Sequence, residues 1–235
     1  LMKDKPIGLS VIVSSYNEGK TIIKVLNRLS EIKKQNFVYE VIVINDGSTD
    51  NSLSLLEQNK DLYDQLITYE KNNGKGYAVL KGLEAAKGKY IIFQDADLEY
   101  DPKDFLKFIN LINNFEPDLI LGSRLNYSDF TRSHNILNKF GNMFITLIFN
   151  LFYNTTFTDI YSCYLCYKKE LVNEKNLKSK GFGQHAEILC EAVKKGKKFY
   201  EVPISYNGRT YEDGKKIKFY HIFEVLYRIV FGRFK

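Results

Sequence analysis

Three short polar segments, each directly after an apolar run, carry the residues of this chain that could do chemistry. They lie at residues 14–18, 45–48 and 95–97. In an open α/β sheet, ligands bind beyond the carboxyl ends of the strands, so we expect these segments to meet at one edge of a sheet. Helix-capping turns have similar residues, but three acid-bearing turns at a single edge favour a binding site.

The segment Asp95-Ala96-Asp97 is the one best suited to a metal ion. Side chains alternate along an extended chain, so carboxylates two residues apart point the same way. Like charges held together are unfavourable unless a cation lies between them. Oxygen ligands favour Mg²⁺ or Mn²⁺, which proteins usually share with substrate phosphates. The pair therefore predicts Mg²⁺ or Mn²⁺ as a cofactor.

A basic, glycine-containing loop at residues 71–76 precedes a helical pattern. The start of such a helix offers free backbone N–H groups to an anion, and Lys75 adds a positive charge. The loop lacks the spacing of a Walker A motif and the Ser or Thr that follows its lysine. An ATPase or kinase of the P-loop type is therefore excluded.

The first half of the chain alternates short apolar runs with helical patterns, which predicts βαβ units and a mostly parallel sheet. The predicted strands are residues 9–13, 40–44, 66–69, 90–93 and 119–121. The predicted helices are residues 20–29, 49–56 and 76–86, and a further one that begins at Pro102.

The second half is less regular. Residues 135–153 predict a long aromatic helix, and residues 217–231 an amphipathic one. Short strands are predicted at residues 162–167 and 199–203, with a helix at 185–194 between them. The two long helices predict a membrane-facing platform, whose alternative is packing on the core or on a twin subunit.

Length, charge and cysteine content limit the class of protein. A chain of 235 residues with 44% hydrophobic and 26% charged residues fits one folded domain. The net charge of +6 favours anionic partners, but no nucleic-acid-binding motif is present, so we expect no nucleic acid. Cys163 and Cys166 have no second pair to complete a zinc site, which predicts reduced cysteines in a cytoplasmic chain. The longest apolar run is shorter than the ~18 residues that span a bilayer.

The order of the motifs resembles a known family. The chain carries VIVSSYNEGKTI, VIVINDGSTDNS, NNGKGYAVLKGLEAAKGKYIIFQDADLEYDP and DLILGSR, and this series is similar to glycosyltransferase family 2 with a GT-A fold. Its later segments TDIYSCYLCYKKEL and EVPISYNGRTYEDGKKI resemble the dolichyl- or polyprenyl-phosphate sugar transferase branch. The resemblance implies one Rossmann-like α/β domain over residues 1–235, with a mostly parallel central sheet flanked by helices. Residues 8–125 would bind the nucleotide sugar and residues 126–235 the acceptor.

On the donor side, the resemblance implies that Asp46 reads the nucleotide base. The metal on the diphosphate would be held by Asp95 and Asp97, with Glu99 beside them. The remaining nucleotide-sugar-binding residues would be Ser14, Tyr16, Glu18, Lys75 and Ala96. The chain has Ser14 where the family usually has Pro, and Asn45 where it often has Asp.

On the acceptor side, the resemblance places Arg124 near the acceptor or its phosphate. Arg209 and Lys215 would close over the reaction centre, and Asp159 would mark the turn before the strand beneath the acceptor. Members that act on lipid phosphates tend to carry an arginine near residues 134–135, where this chain has only Arg132 nearby.

The expected reaction is a metal-dependent, inverting transfer of a hexose from a GDP-mannose- or UDP-glucose-type donor. The expected acceptor is a membrane lipid, dolichyl or polyprenyl phosphate, at the cytoplasmic membrane face. A hydroxyl acceptor such as diacylglycerol or a saccharide is the alternative, and it would need a general base, for which Glu187 and His185 are candidates. A third interpretation is a catalytically inactive nucleotide-binding module.

Overall fold

The computed structural model describes residues 8–33, 39–126, 136–181, 183–209 and 221–234. Within them, seven strands form one sheet: β1 (Leu9–Ser15), β2 (Tyr39–Asp46), β3 (Gln65–Tyr69), β4 (Tyr90–Asp95), β5 (Leu119–Ser123), β6 (Leu165–Lys168) and β7 (Phe199–Pro203). The α-helices are α1 (Ile22–Lys33), α2 (Ser52–Gln58), α3 (Lys75–Ala85), α4 (Phe105–Phe115), α5 (Ile136–Tyr153), α6 (Gln184–Lys195) and α7 (His221–Arg233).

The strands follow the order β3-β2-β1-β4-β6-β5-β7. Only β6 runs antiparallel to its neighbours β4 and β5, so the prediction of a mostly parallel sheet is confirmed. The central strands are apolar because both faces of a parallel sheet are covered. Every residue of β2 is buried, and α3 lies so close to the sheet that a side chain at Gly82 would meet Ile12 and Ile44.

The register of the central strands brings the three polar segments together. Ser15 of β1 is level with Asn45 of β2, and on its other side Ser14 is level with Asp95 of β4. The strands are parallel, so their carboxyl ends lie at the same edge of the sheet. The expected meeting of these segments is therefore observed.

Several elements begin or end at other residues than the sequence predicts. Helix α2 begins at Ser52 rather than residue 49, because Asn17 accepts a hydrogen bond from the Thr49 N–H at 2.7 Å and Asp50 accepts one from the Ser52 N–H at 2.9 Å. Pro102 opens a single 3₁₀ turn before α4. Strand β6 begins at Leu165 rather than residue 162.

The two long helices of the second half contact each other. Helix α5 spans 18 residues and ends at Tyr153, as predicted, and α7 spans His221–Arg233. Residues 135 and 217–220, where the two predicted helices begin, lie outside the described part of the chain. Aromatic contacts join the pair, such as the edge-to-face contact of Phe152 with Phe234. No helix among the described residues is long and apolar enough to cross a bilayer.

Candidate active site

A cavity of about 550 Å³ lies over the carboxyl ends of β1, β2 and β4. Most of the residues singled out from the sequence line it. They are Ser14, Tyr16, Glu18, Asp46, Lys75, Asp95, Ala96, Asp97, Glu99, Arg124 and Arg209. Glu187 does not line the cavity, whereas His185 does. Lys215 lies outside the described residues.

Asp46, at the end of β2, holds the basic loop in place. Its two carboxylate oxygens accept the backbone N–H groups of Asn73 at 3.0 Å and Gly74 at 2.9 Å. The φ angle of Gly74 is +97°, a conformation that side chains rarely allow, so glycine is required for this turn into α3. The carboxylate thereby positions Lys75, the next residue, at the cavity.

Two cations neutralise the carboxylates at the end of β4. Lys75 Nζ lies 2.6 Å from Asp95 Oδ1. Arg209 reaches three acids at once: Asp97 at 2.7 Å, Glu18 at 3.2 Å and Glu99 at 3.3 Å. Strands β1 and β4 and the segment after β7 therefore converge on a single charge cluster.

The surroundings shift the pKa values of the two aspartates of this cluster in opposite directions. Burial alone would raise the pKa of Asp95, but the Lys75 ammonium outweighs it and the pKa of Asp95 is lowered. Burial raises the pKa of Asp97 to about 7, and the charges of Asp95 and Glu99 add to that rise. Arg209 therefore only partly compensates the negative charge around Asp97.

A divalent cation fits the chemistry of these side chains. Asp95, Asp97 and Glu99 supply only oxygen atoms, the ligands that Mg²⁺ and Mn²⁺ prefer. Burial is the main cause of the raised pKa of Asp97, and a cation would relieve the further rise that the charges of Asp95 and Glu99 cause. Among the described residues, no three His, Cys, Asp or Glu side chains are arranged as a metal-binding group. Substrate phosphates and water would have to complete the coordination.

Arg124 lines the cavity but is held by another acid. Its Nε and Nη2 atoms each donate to Asp159 at 2.7 Å, and its Nη1 donates to the Tyr100 hydroxyl at 3.3 Å. Asp159 is 0% exposed, and although burial opposes it, Arg124 lowers the pKa of this carboxyl. The Arg124 guanidinium also stacks 5.1 Å from the Tyr206 ring centre. No local sequence pattern predicts the aromatic rings around Arg124, because the tyrosines come from distant segments.

Glu187, in the first turn of α6, contacts residues outside the cavity. Its Oε2 accepts the backbone N–H groups of Lys178 and Ser179, both at 2.9 Å, and its Oε1 lies 3.2 Å from Arg228 Nη1 of α7. These bonds join α6 to α7 and to the segment before α6. Among the described residues, Glu187 therefore does not join the predicted catalytic residues Asp97, Arg124 and Arg209 at the cavity.

The family follows from the match of residues 10–174 to the model of Glycosyl transferase family 2, which is more than half of the chain. The chain belongs to glycosyl transferase family 2. Cys163 and Cys166, both buried and not in a disulfide, and the polar strand ends lie within the matched residues.

Curated relatives agree with this family assignment. The chain is 30% identical over 228 residues to the dolichyl-phosphate beta-glucosyltransferase of Saccharomyces cerevisiae, covering 87% of this chain and 68% of the relative. It is 27% identical over 205 residues to the low-salt glycan biosynthesis hexosyltransferase Agl6 of Haloferax volcanii, covering 87% and 49%. The family 2 chain thus spans about half to two thirds of the length of these relatives.

Solved structures confirm the fold. Glucosyl-3-phosphoglycerate synthase of Mycobacterium tuberculosis, in complex with Mn²⁺, UDP and glucosyl-3-phosphoglycerate, matches with a TM-score of 0.71 at 17% identity, over 97% of this chain and 80% of that one. TarS of S. aureus, in complex with UDP-GlcNAc, matches with a TM-score of 0.64 at 18% identity, over 96% and 66%. The family 2 chain therefore has the GT-A fold, as predicted.

Proposed function

We propose that the chain transfers a hexosyl group from a GDP-mannose- or UDP-glucose-type donor to dolichyl or polyprenyl phosphate. The observation that carries this proposal is the cluster of Lys75 and Arg209 with the carboxylates of Asp95, Asp97 and Glu99 inside the cavity. Membership of glycosyl transferase family 2 supports hexosyl transfer. The name of the yeast relative supports a lipid phosphate as acceptor.

The donor would lie along the carboxyl ends of the central strands. Asp46 would meet the base, and Ser14, Tyr16 and Glu18 the nucleoside. Since Asp46 already accepts two N–H groups of the basic loop, base binding and the position of Lys75 are coupled through one carboxylate. Lys75 would then place its charge beside the diphosphate.

The metal ion would be held by Asp95 and Asp97, with Glu99 beside them, and donor phosphates and water would complete its coordination. A bound Mg²⁺ or Mn²⁺ supplies positive charge that stabilises the departing diphosphate. Arg209 contacts two of these acids, Asp97 and Glu99. Its side chain has several rotatable bonds, so its guanidinium can turn from the carboxylates to phosphate oxygens. Such charge stabilisation, set up before the reaction, is commonly the largest contribution to catalysis.

In the proposed reaction, an oxygen of the lipid phosphate attacks the anomeric carbon of the hexose. The new carbon–oxygen bond forms as the bond to the nucleoside diphosphate breaks, and the configuration at that carbon is inverted. The bonding electrons leave with the diphosphate. A phosphate acceptor is already ionised, so no proton is removed.

The position of Glu187 supports a phosphate rather than a hydroxyl acceptor. A hydroxyl acceptor requires a base within hydrogen-bond reach, and Glu187 is bound to Arg228 away from the cavity. A phosphate acceptor instead requires cations, which Arg209 and Lys215 would supply, while Arg124, paired with Asp159, would hold the cavity wall beside the acceptor. Lys215 enters this proposal from the sequence alone.

A membrane surface is the proposed location of the acceptor, reached from the cytoplasmic face. Ten of the twelve exposed large apolar side chains of the described residues lie on α5, on α7 or directly after α7. We call them the α5–α7 apolar surface: Ile136, Phe140, Met143, Phe144, Leu147, Leu151, Phe223, Tyr227, Phe231 and Phe234. An apolar area of this kind marks a membrane or protein interface.

Flotation with liposomes separates these two interfaces. Wild-type protein should float with anionic liposomes, Leu147→Glu should not, and Leu106→Glu, which alters a similarly exposed leucine of α4, should float normally. A homodimer that fails to float would assign the surface to a twin subunit instead.

Donor binding is tested by thermal denaturation with UDP, UDP-glucose, GDP and GDP-mannose in the presence of Mn²⁺. A donor at 100 times its Kd should raise the unfolding free energy by about 2.7 kcal/mol. Asp97→Asn should reduce this gain, and Asp61→Asn, at an exposed position outside the cavity, should not. No stabilisation by any of these nucleotides would contradict the proposal.

A further inference from the structure

The first turn of α6 presents two consecutive side chains, Gln184 and His185, to the cavity. Gln184 is only 4% exposed. Helix α6 starts after Gly183, whose lack of a side chain leaves room for the turn, and Gly181 and Gly183 both lie against Glu224 of α7. The two glycines thus allow α7 to approach closely at the point where α6 begins.

Both residues carry a buried polar atom that lacks a partner. Within the described part of the chain, neither the side-chain amide nitrogen of Gln184 nor Nε2 of His185 has a hydrogen-bond partner. Buried polar atoms in folded proteins are nearly always paired, so such atoms at a cavity wall indicate a ligand that supplies the missing partners. Because the two unpaired atoms belong to adjacent residues that line the same cavity, we assign them to one subsite.

The imidazole of His185 is held between aromatic rings near the charge cluster. Its ring centre lies 6.3 Å from that of Phe93 in β4 and 6.5 Å from that of Tyr161, both in edge-to-face arrangements. Phe93 is two residues before Asp95, so the imidazole lies on the Asp95 side of the cavity. Tyr161 follows Asp159 by two residues, on the Arg124 side.

The surroundings of His185 select for an uncharged ligand group. Burial lowers the pKa of His185 to about 4, and the nearby positive charge of Lys75 adds to this effect. The imidazole is therefore neutral near pH 7, and it is too weak a base to be suited to removing a proton. A neutral imidazole and an amide can exchange hydrogen bonds with hydroxyl groups, which both donate and accept.

We propose that Gln184 and His185 bind the hydroxyl groups of the donor hexose and contribute to selection among hexoses. This assignment rests on the proposed function, in which the diphosphate lies beside Lys75 and Asp95. The sugar is attached to that diphosphate, and the charges of Lys75 and Asp95 reach the His185 imidazole, which lines the same cavity. The pair thus recognises the sugar, whereas Asp46 and the charge cluster bind the nucleotide.

The test compares a nucleoside diphosphate with its hexose conjugate by calorimetry in Mn²⁺: UDP with UDP-glucose, and GDP with GDP-mannose. Gln184→Leu and His185→Phe should each weaken binding of the sugar conjugate about tenfold, because a hydrogen bond is lost. Binding of the free diphosphate should not change. His185→Asn should recover part of the loss. Lys195→Gln, on α6 but outside the cavity, is the matched control.

Each outcome of this experiment supports or overturns the assignment of the pair to the donor hexose. Equal weakening of both ligands would show that the pair only supports the fold of the site, and unchanged binding of both would show that it does not contact the sugar. Either result overturns the hexose assignment while leaving the proposed function intact. A wild-type chain that binds none of these four nucleotides would overturn both. If His185→Phe fails to fold, His185→Asn with UDP-glucose and UDP-galactose still decides, since altered preference between them is expected.

Discussion

Two arginines line the same cavity in different surroundings. Arg124 has a side chain that is 12% exposed and binds a single, fully buried aspartate through two parallel hydrogen bonds. Arg209, at 20% exposed, distributes its donors over Glu18, Asp97 and Glu99. The charge of Arg124 is thus balanced by one aspartate within the fold, whereas Arg209 has one positive charge facing three carboxylates.

This difference assigns the Arg124–Asp159 pair to positioning the cavity wall and Arg209 to the chemistry. The Arg124–Asp159 pair joins β5 to the segment before β6, and Tyr100 and Tyr206 enclose it, so it fixes one wall of the cavity. Arg209 balances a cluster that has negative charge in excess, and a metal ion or a diphosphate would change that balance. We therefore expect substitutions near Arg209 to affect turnover, and substitutions near Arg124 to affect stability.

The largest effect is expected for Asp97→Asn. Loss of this carboxylate removes the shortest contact of Arg209 and a proposed metal ligand, so hexosyl transfer should fall at least about 10²- to 10³-fold, as for other losses of transition-state charge stabilisation. The unfolding free energy should change little. Single-turnover kinetics with Asp61→Asn as control measure this, and full activity of Asp97→Asn in EDTA would refute it.

Asp159→Asn should act on stability instead. It leaves the buried charge of Arg124 without its partner, which costs about 3 kcal/mol. The folded pKa of Asp159 is lowered, so its stabilisation is present above the unfolded pKa and is lost as the pH falls through the folded value. Urea denaturation should therefore show a gap between wild type and variant at pH 7 that narrows in acid. Glu84→Gln breaks the more exposed Lys81–Glu84 pair and should cost under about 1 kcal/mol. A similar cost for both variants would mean that the Arg124 pair does not hold the wall.

A smaller effect, a gain in metal binding rather than a loss of activity or stability, is expected for Arg209→Gln in the absence of nucleotide. Three carboxylates lose their competing cation, so Mn²⁺ should bind about tenfold more tightly than to wild type, equivalent to about 1.4 kcal/mol. Calorimetric titration of Mn²⁺ measures this directly. Weaker Mn²⁺ binding by Arg209→Gln would indicate that Arg209 organises the acids rather than competes for them.

Glu187→Gln should change the transfer rate least, by less than about threefold, because no proton is removed from a phosphate acceptor. Its lost contacts with Arg228 should appear as a loss of stability of about 1 kcal/mol or more. A rate loss of about 10²–10⁴ would indicate a general base and hence a hydroxyl acceptor.

The sequence predicted the acids at the strand ends better than the contacts between distant segments. Asp95 and Asp97 could be placed at a strand end because a buried parallel strand is a local apolar run that stops where the acids begin. The contact between Glu18 and Arg209 joins residues 191 positions apart, and no local pattern predicts it. The insertion of β6 between β4 and β5 is equally invisible in its four residues. The second role of Asp46, holding the loop before α3, depends on the φ angle of Gly74 and was likewise not predicted.

The most direct test of the account is the acceptor itself. Purified protein would be incubated with Mn²⁺, UDP-glucose or GDP-mannose, and either polyprenyl phosphate or the unphosphorylated polyprenol of equal chain length, and glycolipid would be quantified. We predict hexosyl transfer to the phosphate only, strongly reduced in Asp97→Asn and unaffected in Asp61→Asn. Transfer to polyprenol, with none to polyprenyl phosphate, would contradict the account.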